Sequence, residues 1–119
     1  HLFSKRVEDL FNSKENNIHV NVMGNFKEAG SEAILVITLE NPSGYTYDWS
    51  GMNFSYFIKN PGEWKKVYHS KRFHDIRSAE DVIKIYVWNN GAKPVYIDDI
   101  SVAVSEGNPL LYGNPDISL

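Results

Sequence analysis

The amino-acid sequence predicts an all-β fold, an antiparallel sandwich of about seven or eight strands. Apolar residues alternate with polar ones over several short segments, helical periodicity is weak, and clusters of Pro, Gly and Asn separate the segments roughly every dozen residues. The chain has 119 residues, of which 42% are hydrophobic. This length suits one domain with one core, and this composition excludes a disordered chain.

Charge and cysteine content exclude several classes of function. The net charge is −3 and the sequence contains no cysteine. An acidic chain is not expected to bind nucleic acid, and the basic residues near positions 65–72 are interpreted as a solvated surface. Disulfides, cysteine zinc sites and thiol nucleophiles are excluded. The longest apolar run, residues 33–37, is too short to cross a bilayer, so no membrane insertion is expected.

The first half of the chain contains four predicted strands after a weak helical segment at residues 7–15. Ile18, Val20 and Val22 alternate with polar residues and predict a half-buried strand. Residues 33–39 form a continuous apolar run that suits a central strand. Residues 41–44 predict a turn because they include a proline and a glycine, and two further strands are predicted in residues 45–49 and 52–58.

The second half predicts three more strands. A turn at residues 59–63 precedes a strand at 64–73, and a capping pattern at residues 78–81 predicts a single turn before the next strand. In that strand, residues 82–88, one face is apolar and the other carries Lys84, Tyr86 and Trp88. Asn89-Asn90-Gly91 is the strongest hairpin signal in the chain, and it predicts that residues 94–104 pair with residues 82–88.

The last predicted strand changes parity along its length. Its apolar residues switch from Val95 and Ile97 to Ile100, Val102 and Val104. The switch falls at Asp98-Asp99 and predicts a β-bulge that keeps both apolar sets facing the core. Residues 105–119 contain two Asn-Pro pairs and predict an extended tail or linker, so the predicted domain covers residues 1–104.

The last two strands carry a family resemblance. Tyr86-Val-Trp-Asn, the following turn and Val95-Tyr-Ile-Asp-Asp-Ile resemble the closing hairpin of jelly-roll carbohydrate-binding modules of the galactose-binding-like group, which many extracellular Bacteroidetes proteins carry. Pro61-Gly-Glu-Trp matches the same pattern, and the resemblance covers residues 17–104. It implies a jelly roll that binds a glycan without catalysis, in a secreted, periplasmic or cell-surface protein with neighbouring domains.

One departure from the family bears on partners. Such jelly rolls begin with one or two further strands, which would precede His1 in this chain. We expect either a shortened first strand pair or a piece of a longer domain. Missing strands would expose a sheet edge and favour a dimer through that edge.

Aromatic residues at alternate positions are the first ligand candidates. Tyr45, Tyr47 and Trp49 would project from one side of a strand and form a flat platform on which a sugar ring stacks. The same spacing also suits the aromatic inner face of a sandwich, and both interpretations stay open. The polar residues expected to contact a sugar beside such a platform are Asp48, Asn53 and Lys59.

A structural calcium ion is implied by the resemblance at Asp98-Asp99. One of these aspartates would bind the ion together with backbone carbonyls and an acidic residue near the N-terminus. Ca²⁺ prefers about six to eight oxygen ligands, which a bulge supplies in part. The usual N-terminal partner segment is missing from the sequence. The alternative is that one aspartate caps the bulge while the other is solvated.

The remaining aromatic and histidine residues are assigned to structure. Trp64 and Trp88 are expected to fill the core, as they do in the resembling family. His69 and His74 have no standard metal spacing, no catalytic motif is present, and we expect no enzyme activity. The alternative function is a structural spacer or adhesion-type sandwich without a sugar ligand, which should bury the aromatic residues of positions 45–49.

Overall fold

The computed structural model describes residues 3–12 and 14–106, which form seven strands in two antiparallel sheets. The four-stranded sheet has the order β1-β6-β3-β4, and the three-stranded sheet has the order β5-β2-β7. The elements are β1 Phe3–Arg6, α1 Val7–Leu10, β2 Glu15–Phe26, β3 Ile34–Glu40, β4 Thr46–Asn53, a 3-10 turn at Phe54–Tyr56, β5 Lys65–Arg72, β6 Val82–Trp88 and β7 Val95–Glu106. The predicted all-β sandwich is confirmed, and jelly-roll connectivity stays a prediction.

The core lies between the two sheets. Alternate residues of each central strand are buried in it, including Leu35, Ile37 and Leu39 of β3, Ile83 and Ile85 of β6, and Ile18, Val20 and Val22 of β2. Each such side chain stabilises the fold by about 1.5–3 kcal/mol relative to an exposed one. Because side chains alternate along a strand, the burial of these residues determines which ones lie on the outer faces.

The predicted hairpin between residues 82–88 and 94–104 is wrong. β6 pairs with β1 and β3, whereas β7 pairs with β2 in the other sheet. A type I′ turn needs a positive φ at both central residues, and neither Asn90 nor Gly91 has one. Instead, the Asn89 side chain accepts the Gly91 N–H at 3.1 Å and donates to the Lys93 carbonyl at 2.8 Å. These bonds stabilise a wider loop that crosses between the sheets.

The predicted bulge in β7 is confirmed, but its consequence for burial holds only in part. The β2–β7 register shifts between Asn21 and Met23, and Asp99 has a left-handed φ of 52°. Three valines of β7 pack against the core, namely Val95, Val102 and Val104. Ile97 and Ile100 stay exposed, so the bulge does not bring both apolar sets into the core.

Several element boundaries differ from the prediction. The two strands predicted in residues 45–49 and 52–58 are one strand, β4, followed by the 3-10 turn. Of the helical segment predicted at residues 7–15, only the single turn α1 is helical. A segment this short forms too few hydrogen bonds to offset the cost of starting a helix. β7 continues through Ser105 and Glu106, beyond the predicted domain end at residue 104. The rest of the predicted tail, residues 107–119, lies outside the described part of the chain. The predicted turn at residues 78–81 is confirmed, and β6 follows it directly.

Candidate functional site

The outer face of the four-stranded sheet carries three aromatic side chains, Trp49 from β4 and Tyr86 and Trp88 from β6. We call this surface the aromatic face. β3 lies between these two strands, with Val36 paired to Tyr86 and Thr38 paired to Trp49. Because the alternate residues of β3 are buried in the core, Val36 and Thr38 lie on the outer face beneath the aromatic residues.

Gly51 makes room for the Trp49 side chain on this face. A Cβ atom added at Gly51 would lie 2.7 Å from the outer ring carbon of Trp49 and 2.7 Å from Cγ2 of Ile34. The indole therefore lies along the sheet, over the Gly51 backbone. The Trp49 side chain nevertheless stays 50% exposed, so the ring offers surface to solvent.

Tyr86 and Trp88 lie side by side on β6. Residues two apart on a strand share a face and lie about 6.5 Å from one another along it. Trp88 is 51% exposed and Trp64 is 47% exposed, so the prediction that both fill the core is wrong. The sequence did contain a signal for the exposure of Trp88. Ile83 and Ile85 are the apolar, core-facing residues of the strand, and Trp88 has the opposite parity, which places it on the outer face.

The far end of the aromatic face is polar. Lys84 and Glu40 form an ion pair of 3.2 Å there, across the pairing of β6 with β3. Thr38 is only 2% exposed, and its hydroxyl has no hydrogen-bond partner among the described residues. The face therefore has the Lys84–Glu40 ion pair at one end and the exposed Trp88 ring at the other.

The three aromatic residues predicted as one platform do not share a face. Leu39 of β3 pairs with Asp48, whereas Glu40 pairs with Thr46, so Tyr47 is an extra residue in a bulge of β4. Tyr45 precedes β4 and is 63% exposed. Of the predicted platform, only Trp49 lies on the aromatic face, because the bulge breaks the alternation that the prediction assumed.

Tyr47 has a structural position beside the loop before β6. Its ring packs against the core, its hydroxyl donates to the buried carboxylate of Asp81, and the Arg77 guanidinium lies 4.2 Å from the ring centroid. Burial, followed by the hydrogen bond to Asp81, raises the pKa of Tyr47 to about 12. These contacts join β4 to the segment before β6. They also cover most of the Tyr47 side chain, so little of its surface can contact a ligand.

Asp48, a predicted sugar contact, faces the other sheet. Its carboxylate lies 3.1 Å from Nζ of Lys71 on β5, and the next inward residue, Ser50, bonds His69 of β5 at 2.7 Å. We call this pair of contacts the β4–β5 seam. Burial, with a smaller contribution from the Lys71 charge, lowers the pKa of His69. The side chains of Asp48 and Ser50 therefore bond to the other sheet, and neither faces a ligand on the outer surface.

Asn53 lies at the open end of the aromatic face. It pairs with Ile34, and Ile34 pairs with Trp88 on its other side, so Asn53 and Trp88 flank the same position of β3. The Asn53 amide makes no hydrogen bond to another described residue. Lys59, the remaining predicted polar contact, donates to the Ser55 carbonyl at 2.8 Å instead.

Asp98 and Asp99 are both exposed at the β7 bulge. The Asp98 carboxylate accepts the Asp99 backbone N–H at 2.9 Å, which is the capping role considered for one of the two residues. Within residues 3–12 and 14–106, no group of three or more His, Asp or Glu side chains is arranged to hold a metal ion. The bulge thus supplies few of the oxygen ligands that Ca²⁺ prefers, and the calcium ion stays a prediction.

Comparisons with protein-family models, curated proteins and solved structures find no match to this chain. Among the described residues, no helix is long and apolar enough to cross a membrane. The functional conclusion therefore depends on the chemistry of the aromatic face.

Proposed function

We propose that this chain is a non-catalytic carbohydrate-binding domain that binds a glycan on the aromatic face. The observation that carries the proposal is the exposure of Trp49 and Trp88 on one sheet face, with Tyr86 beside Trp88. Exposed aromatic rings on a sheet suit the C–H faces of sugar rings, since they bury apolar area and still tolerate water at their edges.

The geometry of the face supports a ligand of several sugar units. Trp49 and Trp88 lie on strands that are separated by β3, and neighbouring strands are about 4.8 Å apart. Their backbones also lie at different positions along the strands, because Trp49 pairs with Thr38 whereas Trp88 pairs with Ile34. Two tryptophans and a tyrosine on one face offer more surface than one sugar ring covers, so we expect an oligosaccharide or polysaccharide.

A spacer or adhesion-type sandwich without a ligand is the alternative function. That function needs no exposed aromatic rings, whereas large apolar side chains gathered on one surface favour a binding role.

The carbohydrate-binding proposal also includes a location. The protein is secreted, periplasmic or attached to the cell surface, where polysaccharides are available, and the domain is joined to neighbouring domains.

Affinity electrophoresis against plant, algal and host polysaccharides tests the proposal. The parent chain should be retarded by at least one polysaccharide, and Trp49→Ala and Trp88→Ala should each lose most of that retardation. Trp64→Ala is the matched control, since Trp64 is equally exposed but precedes β5 of the other sheet.

Three outcomes separate the functions. Loss in the two aromatic-face variants with an unchanged control supports the proposal. Loss in the Trp64 variant alone would move the binding site to the other sheet and contradict the aromatic face. No retardation of a chain that circular dichroism shows to be folded would favour the spacer.

A further inference from the structure

A polar pocket of about 420 Å³ adjoins the aromatic face at its Trp88 end. Asn53 belongs to both, and Asn90 follows Trp88 by two residues in the loop after β6. The polar residues that line the pocket are Ser31, Glu32, Asn53, Ser55 and Asn90. A glycan on the aromatic face therefore meets a hydrogen-bonding cavity where the sheet ends.

The free groups of this pocket suit sugar hydroxyls. The Asn53 amide and the Ser55 hydroxyl make no hydrogen bond to another described residue, and the Asn90 amide reaches Glu32 Oε2 only at 3.5 Å. Amides offer both donors and acceptors, a carboxylate offers acceptors, and each sugar hydroxyl both donates and accepts. Neighbouring hydroxyls of one sugar ring could satisfy these groups together.

The walls of the pocket are held in place by contacts outside it. Lys93 Nζ donates to the Ala29 carbonyl at 2.7 Å and lies 3.4 Å from Glu28, which connects the loop after β6 to the loop before β3. A Cβ atom at Gly91 would lie 3.2 Å from the Glu32 backbone nitrogen, so the two loops pack closely. A site held in this way loses little conformational freedom when a ligand binds.

The charge of the pocket selects the class of sugar. Glu32 is the only charged side chain among the described residues that line it, and Lys93 is already engaged by Glu28 and the Ala29 carbonyl. The Lys93 ammonium lies beside Gly30 of the pocket but is paired with Glu28, and Glu32 makes no ion pair with another described residue. An unpaired carboxylate repels uronic acids and sulfated sugars. A neutral sugar meets no such repulsion.

We propose that the pocket holds the terminal sugar of a neutral glycan whose following sugars lie on the aromatic face. This inference depends on the proposed function, and it adds the class of glycan and recognition of the chain end. Glu32, Asn53 and Asn90 bind the terminal hydroxyls, while Trp88 stacks on the adjoining sugar.

Isothermal titration calorimetry of the 119-residue chain tests the inference. The probes are cellohexaose, laminarihexaose, mannohexaose and xylohexaose, with hexagalacturonate as the acidic comparison. For the neutral hexasaccharide that binds, Glu32→Gln and Asn90→Ala should each weaken the affinity about tenfold, the size expected for the loss of one or two hydrogen bonds. Glu80→Gln is the matched control, since it removes the same charge in the turn before β6, at the other end of that strand.

Stoichiometry tests recognition of the chain end. A size-fractionated polysaccharide of the same linkage should bind one protein per chain, whatever its length, if the pocket requires a terminus. Several proteins per chain would overturn end recognition. If hexagalacturonate bound more tightly than every neutral hexasaccharide, the proposed selection of neutral glycans would be wrong.

The two proposals fail differently. If a polysaccharide retards the chain in affinity electrophoresis but no neutral hexasaccharide binds in calorimetry, the proposed function stands and this inference fails. If neither experiment detects binding, both fail. If a glycan binds and Trp88→Ala abolishes binding while Glu32→Gln and Asn90→Ala bind as the parent does, the aromatic face stands and the pocket inference is wrong.

Discussion

Ser50 and His69 join the edge strands of the two sheets, with the Ser50 hydroxyl 2.7 Å from Nε2 of His69. β4 and β5 belong to different sheets, so this contact and the Asp48–Lys71 ion pair close the sandwich along one side. His69 is mostly buried, and a charged imidazole there would lose its hydration and lie near the Lys71 ammonium.

The lowered pKa of His69 predicts a pH dependence of stability. In the unfolded chain His69 titrates near its ordinary pKa of 6.5, whereas in the folded chain it stays neutral to lower pH. Below pH 6.5 the unfolded state therefore binds a proton that the folded state does not. The unfolding free energy therefore keeps its full value with respect to His69 above pH 6.5, and it decreases as the pH falls from 6.5 toward the lowered pKa of His69.

Urea unfolding at a series of pH values between neutrality and mild acid measures this effect. His69→Gln should flatten the decrease in unfolding free energy, whatever its effect on stability at neutral pH. His74→Gln is the control, because it replaces an exposed histidine that lies beyond β5 and outside the contacts of Asp48 and Ser50. Equal slopes for the parent chain and His69→Gln would show that His69 does not contribute.

Tyr47→Phe should destabilise the fold. The change removes the hydroxyl that donates to Asp81 and accepts the Arg77 backbone N–H at 3.2 Å. Asp81 is 1% exposed and would keep the Ser78 N–H as its remaining side-chain partner among the described residues. The loss of a hydrogen bond to a buried carboxylate costs about 1.5–3 kcal/mol of unfolding free energy, which urea unfolding at neutral pH measures.

Tyr45→Phe is the matched control for this loss. Tyr45 is exposed, and its hydroxyl bonds no other described residue, so its removal should change the unfolding free energy by less than about 0.5 kcal/mol. Equal effects of the two substitutions would contradict a structural role of the Tyr47 hydroxyl.

Gly51→Ala should displace the Trp49 ring from the sheet. The added methyl group would overlap the ring and Ile34 at 2.7 Å, and the side chain at position 49 is the freer of the two to move. In ¹⁹F NMR of the chain labelled with fluorotryptophan, the Trp49 resonance should shift. The Trp64 resonance serves as the internal control, and an unmoved Trp49 resonance would show that the ring does not depend on Gly51.

Gly24→Ala should overpack the core. Its Cβ would lie 2.7 Å from the Phe54 ring and 3.2 Å from Ile58, and overpacking a buried site costs about 1–3 kcal/mol. The measurement is the unfolding free energy in urea. A double variant with Phe54→Leu should lose less stability than the sum of the two single variants, because the smaller side chain accepts the methyl group. Simple additivity would contradict the predicted overlap.

Local alternation made much of the strand content predictable. Ile18, Val20 and Val22 are buried as their spacing predicted, and the parity change at Asp98-Asp99 corresponds to the observed bulge. These patterns depend on neighbours along the chain, because a strand that buries one face requires apolar residues at every second position.

Side-chain placement at the candidate site was less predictable. The alternation of Tyr45, Tyr47 and Trp49 contained no sign of the β4 bulge, which is visible only in the register with β3. The resemblance predicts a core position for Trp88, although the alternation of its own strand predicts a position beside Lys84 on the outer face. Here local parity was the better guide than the general tendency of tryptophan to be buried.

The sequence by itself determined the all-β class, most strand positions and the two faces of β6, since each depends on residues within one segment. Only the tertiary structure decided that β6 and β7 lie in different sheets, and that Asn53, which flanks Ile34 opposite Trp88, lines a pocket with the loop after β6. These relationships join residues far apart in the chain. They follow from which strands pair and how two loops pack together, and no local pattern specifies either.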